Sequence, residues 1–128
     1  MTSAFPNQAK VTTFLATRDR EKSKAFYRDV LGFTISSGDS FAVVVDLNGT
    51  ALRISTVPDF QPQAHTVLGW HVPDIVASVK FLAAKGIRFT IYDGMGQDDL
   101  GIWSAPGGSA KVAWFLDPDG NNLSLTQS

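Results

Sequence analysis

The chain has 128 residues, of which 44% are hydrophobic and 18% charged, and its formal net charge is -1. These values fit a globular protein and give no electrostatic case for nucleic acid or an anionic membrane as partner. The absence of Cys excludes disulfides, thiolate metal sites and a Cys nucleophile. No apolar run has the length of a membrane span, and the first ten residues lack a signal-peptide pattern. We therefore expect a cytoplasmic protein with no nucleic-acid or membrane partner.

The first half of the chain predicts the element order β-α-β-β-β. Segments rich in β-branched and apolar residues predict four strands, over residues 10–16, 33–36, 41–47 and 51–56. Asp19 is suited to cap a helix N-terminus, and Gly32 to end that helix in the left-handed conformation. An apolar stripe at helical spacing lies between them, formed by Ala25, Phe26, Val30 and Leu31. Asn48 and Gly49 predict a tight hairpin, because both residues tolerate positive φ.

A proline-containing linker over residues 57–63 is expected next, and the second half then repeats the order. Its strands are predicted over residues 65–72, 87–92, 110–116 and 121–126. Asp74 and Gly86 are expected to bound the second helix, whose apolar stripe is Ile75, Val79, Leu82 and Ala83. Residues 93–108 contain five glycines and are expected to form a long loop.

The spacing of these signals indicates an internal repeat. Asp19 and Asp74 lie 55 residues apart, and the helix-ending glycines lie 54 apart. The hairpin glycines Gly49 and Gly120 lie 71 apart, and the excess is about the length of the glycine-rich loop. The pattern predicts two βαβββ modules, over residues 10–56 and 64–127. We expect them to form a single domain over residues 1–128, because one module cannot cover both faces of its sheet.

Three short motifs occur in an order that resembles a known superfamily. They are AFYRDVLGF at residues 25–33, KGI after the second helix, and DPDGNNLSLTQ at residues 117–127. Together with the duplication, they resemble the glyoxalase, bleomycin-resistance and extradiol-dioxygenase superfamily, also called vicinal oxygen chelate. The resemblance implies an α+β fold in which two βαβββ modules form a curled eight-stranded mixed sheet, with helices outside and a central cavity. It also implies a homodimer.

The resemblance further implies four positions at which metal-dependent members hold a divalent ion. Here these positions are Thr12, Arg53, Val67 and Ser124. None is a good ligand, because Val has no donor atom, a guanidinium stays protonated, and neutral hydroxyls bind transition metals weakly. We therefore predict that the protein binds no metal ion at this site and has no other cofactor.

Strand alternation sorts the remaining strand residues into two faces. The residues in phase with the four positions are mixed, small and polar: Phe14, Ala16, Ala51, Ser55, His65, Gly69, His71, Asn122 and Thr126. The residues of opposite phase are almost wholly apolar: Leu15, Leu52, Ile54, Leu68, Trp70, Val72, Leu123 and Leu125. The apolar set is expected to pack under the helices, and the mixed set to face a cavity that holds a small-molecule ligand.

Arg53 is the residue that most directly suggests a ligand. A guanidinium that points inward needs a partner, and one hypothesis is a carboxylate or phosphate on a small ligand, also contacted by Ser124, Thr12 or Ser55. The alternative is that Arg53 pairs with a carboxylate such as Asp98 or Asp99, or stays solvated at the cavity mouth.

Other candidates are less specific. His71 is expected to be a hydrogen-bonded residue at a strand end, with a general-base role as the alternative. His65 lies six residues away, about 20 Å along a strand, which is too far to share one ion with it. Trp103 either contacts a ligand from a lid or anchors its loop. Of Trp114 and Phe115, one faces in and one out.

Three classes of function remain open from sequence. The first is a metal-free protein that binds a small molecule, similar to the antibiotic-sequestering branch of the superfamily, and the unsuited metal positions favour it. The second is a metal-independent enzyme that uses Arg53 as an electrostatic stabiliser and His71 or a loop Asp as a base. The third is a metal-dependent lyase, isomerase or dioxygenase, which would need a different ligand set.

Overall fold

The computed structural model describes residues 3–128 and divides the chain into two compact units, Met1–Phe60 and Gln61–Ser128. The boundary falls inside the predicted linker. Each unit contains one βαβββ module, so the predicted α+β class and the duplication are confirmed. The eight strands do not share one set of hydrogen bonds, however. They form two four-stranded sheets, one in each unit, and neither sheet is closed on itself.

The first unit is built from four strands and one helical segment. Its elements are β1 (Thr12–Thr17), α1 (Arg20–Ala25), a π-helical turn (Phe26–Val30), β2 (Thr34–Gly38), β3 (Ala42–Asp46) and β4 (Ala51–Thr56). The order across this sheet, called sheet 1, is β1-β4-β3-β2. Strand β1 runs parallel to β4, and the other neighbours are antiparallel.

Local signals in the first unit act as the sequence predicts. The Lys22 N–H donates to the Asp19 carboxylate, so Asp19 caps α1. The Gly49 N–H donates to the side chain of Asp46 at 2.7 Å, and Asn48 and Gly49 both have positive φ in the β3–β4 hairpin. The helical stripe is modified by the π-helical turn, which adds a residue to the helical repeat. Phe26 and Tyr27 are buried there, as expected for core residues.

The second unit has a shorter edge strand. Its elements are β5 (Thr66–His71), α2 (Ile75–Ala84), β6 (Trp103–Ser104), a 3₁₀ turn (Pro106–Gly108), β7 (Lys111–Leu116) and β8 (Asn122–Gln127). The order across this sheet, called sheet 2, is β5-β8-β7-β6, with β5 parallel to β8. Asp74 caps α2 by accepting from the Ala77 N–H.

The predicted strand over residues 87–92 is wrong. In that segment only Phe89 forms a β-bridge, to Phe115. The Thr90 N–H donates to the Trp114 carbonyl of β7. The Thr90 carbonyl and the Tyr92 N–H bond instead to the side chain of Gln97, and the ladder does not continue. The edge of sheet 2 is formed by β6, inside the segment predicted to be loop.

The apolar residues of the cores follow the predicted alternation. In the first unit the buried strand residues of the apolar phase are Leu15, Val43, Val45, Leu52 and Ile54. In the second unit they are Ala113, Phe115, Leu123 and Leu125, which lie with Ile75, Val79 and Leu82 of α2. Burial in β8 also extends to Asn122 and Ser124 of the opposite phase. Helix α1 packs on β3 and β4, and α2 packs on β7 and β8. Each sheet therefore has a covered face, under its helix, and an opposite open face.

The DPDG turn sets the register of β7 and β8. The buried Asp117 carboxylate accepts from the backbone N–H groups of Asp119 and Asn121 and from the Asn121 amide, at 2.9 to 3.0 Å. Gly120 has a φ of 86°, and a Cβ there would lie 3.0 Å from Pro62. Because the turn closes between Leu116 and Asn122, Trp114 lies opposite Ser124.

Within residues 3–128, no helix combines the length and the apolar character that a membrane crossing requires.

Candidate functional site

Three predicted ligand-binding residues share the open face of sheet 1. The parallel register places Thr12 beside Ala51, Phe14 beside Arg53, and Ala16 beside Ser55. These residues are exposed or half-buried, whereas Leu52 and Ile54, which alternate with them, are buried. Thr12, Arg53 and Ser55 therefore lie on one face, as their common phase predicts.

Arg53 carries an unpaired charge on this face. It is half-buried, with Phe14 on one side in the sheet and Val44 on the other. Within the described part of the chain, no carboxylate lies within ion-pair distance of its guanidinium. Asp98, one proposed partner, instead accepts from the N–H groups of Leu100 and Ile102.

The charge of Arg53 nevertheless affects the pKa of a nearby carboxyl group, that of Asp39. Asp39 accepts from the backbone N–H groups of Phe41 and Ala42, and these bonds are the main reason that its pKa lies below the usual value. The positive charges of Arg53 and Arg20 lower the pKa further. Arg53 therefore acts on its surroundings as a cation without being neutralised by a bound carboxylate.

The open face of sheet 2 carries the remaining candidates. Ser124 lies between Gly69 of β5 and Trp114 of β7, and His71 lies opposite Thr126. A Cβ at Gly69 would come within 2.5 Å of the Ser124 hydroxyl oxygen, so a side chain there would require that hydroxyl to move. Ser124 is itself buried, which limits its access to a ligand. His71 is exposed, and its Nε2 lies 2.9 Å from the Ser128 hydroxyl.

The four implied metal positions do not form a ligand set. A bulge between Thr66 and Leu68 places Thr66, rather than Val67, opposite Asn122. The side chains at Thr12, Arg53, Val67 and Ser124 still comprise a cation, an aliphatic group and two neutral hydroxyls, which do not fit a divalent ion. Over residues 3–128 there is also no group of three or more His, Asp or Glu side chains placed to hold a metal.

Three aromatic rings meet on the open face of sheet 2. Trp114 lies at the centre, with its ring 5.5 Å from that of Tyr92 in an edge-to-face arrangement and 6.4 Å from that of Trp103. Trp114 and Trp103 are half-buried. This arrangement, called the aromatic cluster, consists of Tyr92, Trp103 and Trp114.

A pocket of about 430 Å³ lies beside the cluster. Its lining is Ala64, His65, Thr66, Tyr92, Asp93, Met95, Trp114 and Asn122. The amide nitrogen of Asn122 donates to the Ala64 carbonyl at 2.8 Å and to the Tyr92 hydroxyl at 3.2 Å. This volume is within the range of pockets that bind small molecules, and we call it the aromatic pocket.

The glycine-rich loop that carries Trp103 is fixed by hydrogen bonds from the side chain of Gln97. The Gln97 side chain accepts from the Tyr92 N–H at 2.7 Å and donates to the carbonyls of Thr90 and Gly101 at 2.9 and 2.8 Å. Trp103 itself pairs with Val112 in β6. These contacts therefore fix Trp103 at the edge of sheet 2.

Sequence reasoning left several of these residues unassigned. It did not decide which of Trp114 and Phe115 faces the open side, although counting back from the DPDG turn pairs Trp114 with Ser124. Tyr92 falls in the predicted strand over residues 87–92, and the sequence assigns no role to Gln97. No signal identifies either residue locally, because their positions depend on bonds across the loop.

Comparisons with known proteins agree with this architecture. Residues 11–46 match the family model described as bleomycin resistance protein-like N-terminal. The bleomycin resistance determinant encoded on transposon Tn5 is 24% identical, with a TM-score of 0.70 over 94% of this chain and 98% of that chain. TnmS3, an antibiotic binding protein from Streptomyces sp. CB03234, is 24% identical, with a TM-score of 0.67 over 94% and 95%.

The chain has the glyoxalase/bleomycin-resistance fold. A superfamily member from Sphaerobacter thermophilus DSM 20745 shares it as well, at 23% identity and a TM-score of 0.70 over 94% of this chain and 97% of that chain. No curated protein matches the sequence. The fold that the resemblance implied is therefore confirmed.

Proposed function

We propose that this protein binds a small anionic molecule through Arg53 on the open face of sheet 1, without a metal ion. The observation that carries the proposal is the half-buried guanidinium of Arg53, which has no ion pair within residues 3–128. The hydroxyls of Thr12 and Ser55 lie on the same face. Together they offer a cation and neutral hydrogen-bonding groups on one surface.

The physical reason is that a partly desolvated cation gains most from a ligand that replaces its lost hydration. A carboxylate or phosphate accepts two parallel N–H bonds from a guanidinium, and such charge-assisted bonds are stronger than neutral ones. Phe14, beside Arg53 in the sheet, is 66% exposed and offers apolar surface to the body of the same ligand. An organic acid or organic phosphate fits both features.

Two comparisons support binding over metal chemistry. TnmS3 is described as an antibiotic binding protein, and the Tn5 protein as a bleomycin resistance determinant. The side chains at the four implied metal positions give no donor set that fits a divalent ion. Asp98, one of the loop Asp residues, is a poor general base here, because its carboxylate accepts from two backbone N–H groups. We further propose that the protein is a cytoplasmic homodimer.

Binding of a panel of small carboxylates and phosphates by isothermal titration calorimetry tests the proposal. Arg53→Gln should weaken a hit about 10- to 100-fold, since hydrogen bonds to charged groups contribute about 1.5 to 3 kcal/mol. Arg88→Gln, a substitution at an exposed Arg of the other unit, is the matched control. Equal dissociation constants for the two variants would contradict the proposal.

Turnover and metal content separate the other classes of function. Elemental analysis of the purified protein should show no stoichiometric Mn, Ni, Zn or Fe, and addition of these ions should not change ligand affinity. A hit that saturates the protein and is recovered unchanged supports a binding protein. Conversion of the hit would instead support a metal-independent enzyme.

A further inference from the structure

We infer that the aromatic pocket binds a flat heteroaromatic ring carrying an N–H donor. This inference rests on the proposed small-molecule function, but Arg53 is not among the lining residues of the pocket. It is carried by two independent features of the pocket: its aromatic wall and an unpaired oxygen on Asn122.

The wall of the pocket favours a planar aromatic ligand. Trp114 presents a half-buried ring, and Tyr92 meets it edge-on at 5.5 Å. Aromatic rings prefer such offset or edge-to-face contacts with a third ring. Met95, 38% exposed, adds a thioether to the lining, and sulfur also packs favourably against rings. A flat bicyclic ring would meet aromatic or polarizable atoms on several sides.

The Asn122 side chain supplies the selectivity for a donor. Asn122 is 4% exposed, and its amide nitrogen is used by the Ala64 carbonyl and the Tyr92 hydroxyl. Its side-chain oxygen is buried and has no hydrogen-bond partner in the described part of the chain. A buried acceptor without a partner is unfavourable, and a donor that reaches it restores the missing bond.

The orientation of the Asn122 amide is set by its neighbours. Rotating the amide by 180° would turn its oxygen towards the Ala64 carbonyl oxygen, and two acceptors repel. The ligand must therefore donate, and a ring nitrogen that only accepts does not satisfy this oxygen. Asn122 and Tyr92 both line the pocket, so a ligand that enters beside Tyr92 approaches the Asn122 side chain.

Contacts within the protein already fix the wall of the aromatic pocket before a ligand binds. Gln97 fixes the backbone at Tyr92, and β6 fixes Trp103 against Trp114. A pre-organised wall loses little conformational entropy when a ligand enters. The rim is polar at His65 and Asp93, which suits a ligand with one buried edge and one solvated edge.

A matched pair of probes tests the inference in the full chain. Benzimidazole carries a ring N–H, and 1-methylbenzimidazole has the same ring without that donor. Titration should be followed by the three Trp indole N–H signals in ¹H–¹⁵N NMR spectra. Trp70 is an internal control, because it stacks on Phe115 at the covered face of sheet 2. Benzimidazole should shift the Trp103 and Trp114 signals saturably, and the methylated probe should bind about tenfold more weakly.

Two substitutions complete the test without removing a buried contact. Thr66→Phe fills the pocket from an exposed lining position, and Thr34→Phe makes the same change at an exposed position of β2. Thr66→Phe should weaken benzimidazole binding at least tenfold, while Thr34→Phe should leave it unchanged.

The contrary results are distinct from a failure of the anion proposal. Equal affinity for the two probes overturns the role of the Asn122 oxygen. No saturable shift at millimolar probe, or shifts centred on Trp70, overturns the site itself. Anion binding that is insensitive to Arg53 overturns only the earlier proposal.

Discussion

Replacing Gln97 by Ala removes the side chain that joins the two ends of the glycine-rich loop. Gln97 is half-buried and makes three hydrogen bonds, to the backbone of Tyr92, Thr90 and Gly101, at distances of 2.7 to 2.9 Å. The substitution leaves one N–H and two carbonyls without this partner. Because Tyr92 and Trp103 lie on this loop, the perturbation reaches both stability and the aromatic cluster.

The expected cost follows from the number of bonds and their exposure. A protein hydrogen bond contributes about 1 kcal/mol net, so three give about 3 kcal/mol. Part of this is regained, since water reaches the exposed Tyr92 segment and the variant no longer orders a Gln side chain. We expect a loss of about 2 kcal/mol in the free energy of unfolding. For a chain of this length that corresponds to a fall of roughly 6 to 10 °C in Tm.

Urea denaturation and thermal melts measure the loss, and near-UV circular dichroism reports the aromatic cluster. Gln97→Ala should lower the unfolding midpoint and weaken the near-UV signal of the Trp103 and Trp114 pair. Gln63→Ala, at an exposed residue with no hydrogen bond to other described residues, should change the free energy of unfolding by less than about 0.5 kcal/mol. If both variants match the wild type in stability and near-UV signal, the loop is not held by Gln97 and the reasoning fails.

Three further predictions concern stability. Phe115→Ala should cost about 3 to 5 kcal/mol in urea denaturation, because a fully buried ring leaves a cavity. Asp74→Ala should cost about 1 kcal/mol in the same assay, through the loss of the α2 N-cap. The pKa of Asp39, lowered mainly by the N–H groups of Phe41 and Ala42, means that its contribution is present above the usual value near 3.8 and is lost as the pH falls through the lower folded-state pKa. NMR titration of the Asp39 carboxyl should show that low value, and an unshifted pKa would contradict the turn geometry.

Much of the fold could be predicted because its signals are local. Asp19 and Asp74 cap helices through bonds to residues three positions away, and Asn48-Gly49 closes a hairpin between adjacent strands. Alternation placed Thr12, Arg53 and Ser55 on one face because β1 and β4 pair without a shift. A short-range sequence pattern is sufficient for the caps and the hairpin. The shared face of β1 and β4 also depends on their pairing in register.

The errors arose where alternation or segment boundaries depend on distant partners. The bulge at residues 66–68 exchanges the positions of Thr66 and Val67 relative to Asn122, and alternation cannot detect a one-residue shift. The segment over residues 87–92 has strand composition, yet the Thr90 carbonyl and the Tyr92 N–H bond to the Gln97 side chain. The edge strand β6 has only two residues, too few to leave a periodic signal.

The sequence by itself determined the duplicated βαβββ modules, their caps and turns, and the unsuitability of the four implied metal positions. These depend on residue chemistry and on contacts within a few positions. Only the tertiary structure decided that Arg53 has no carboxylate partner within residues 3–128, and that Tyr92, Trp103 and Trp114 form one cluster. Those arrangements depend on strand register and on a loop held by one Gln side chain, and both join residues that are far apart in the chain.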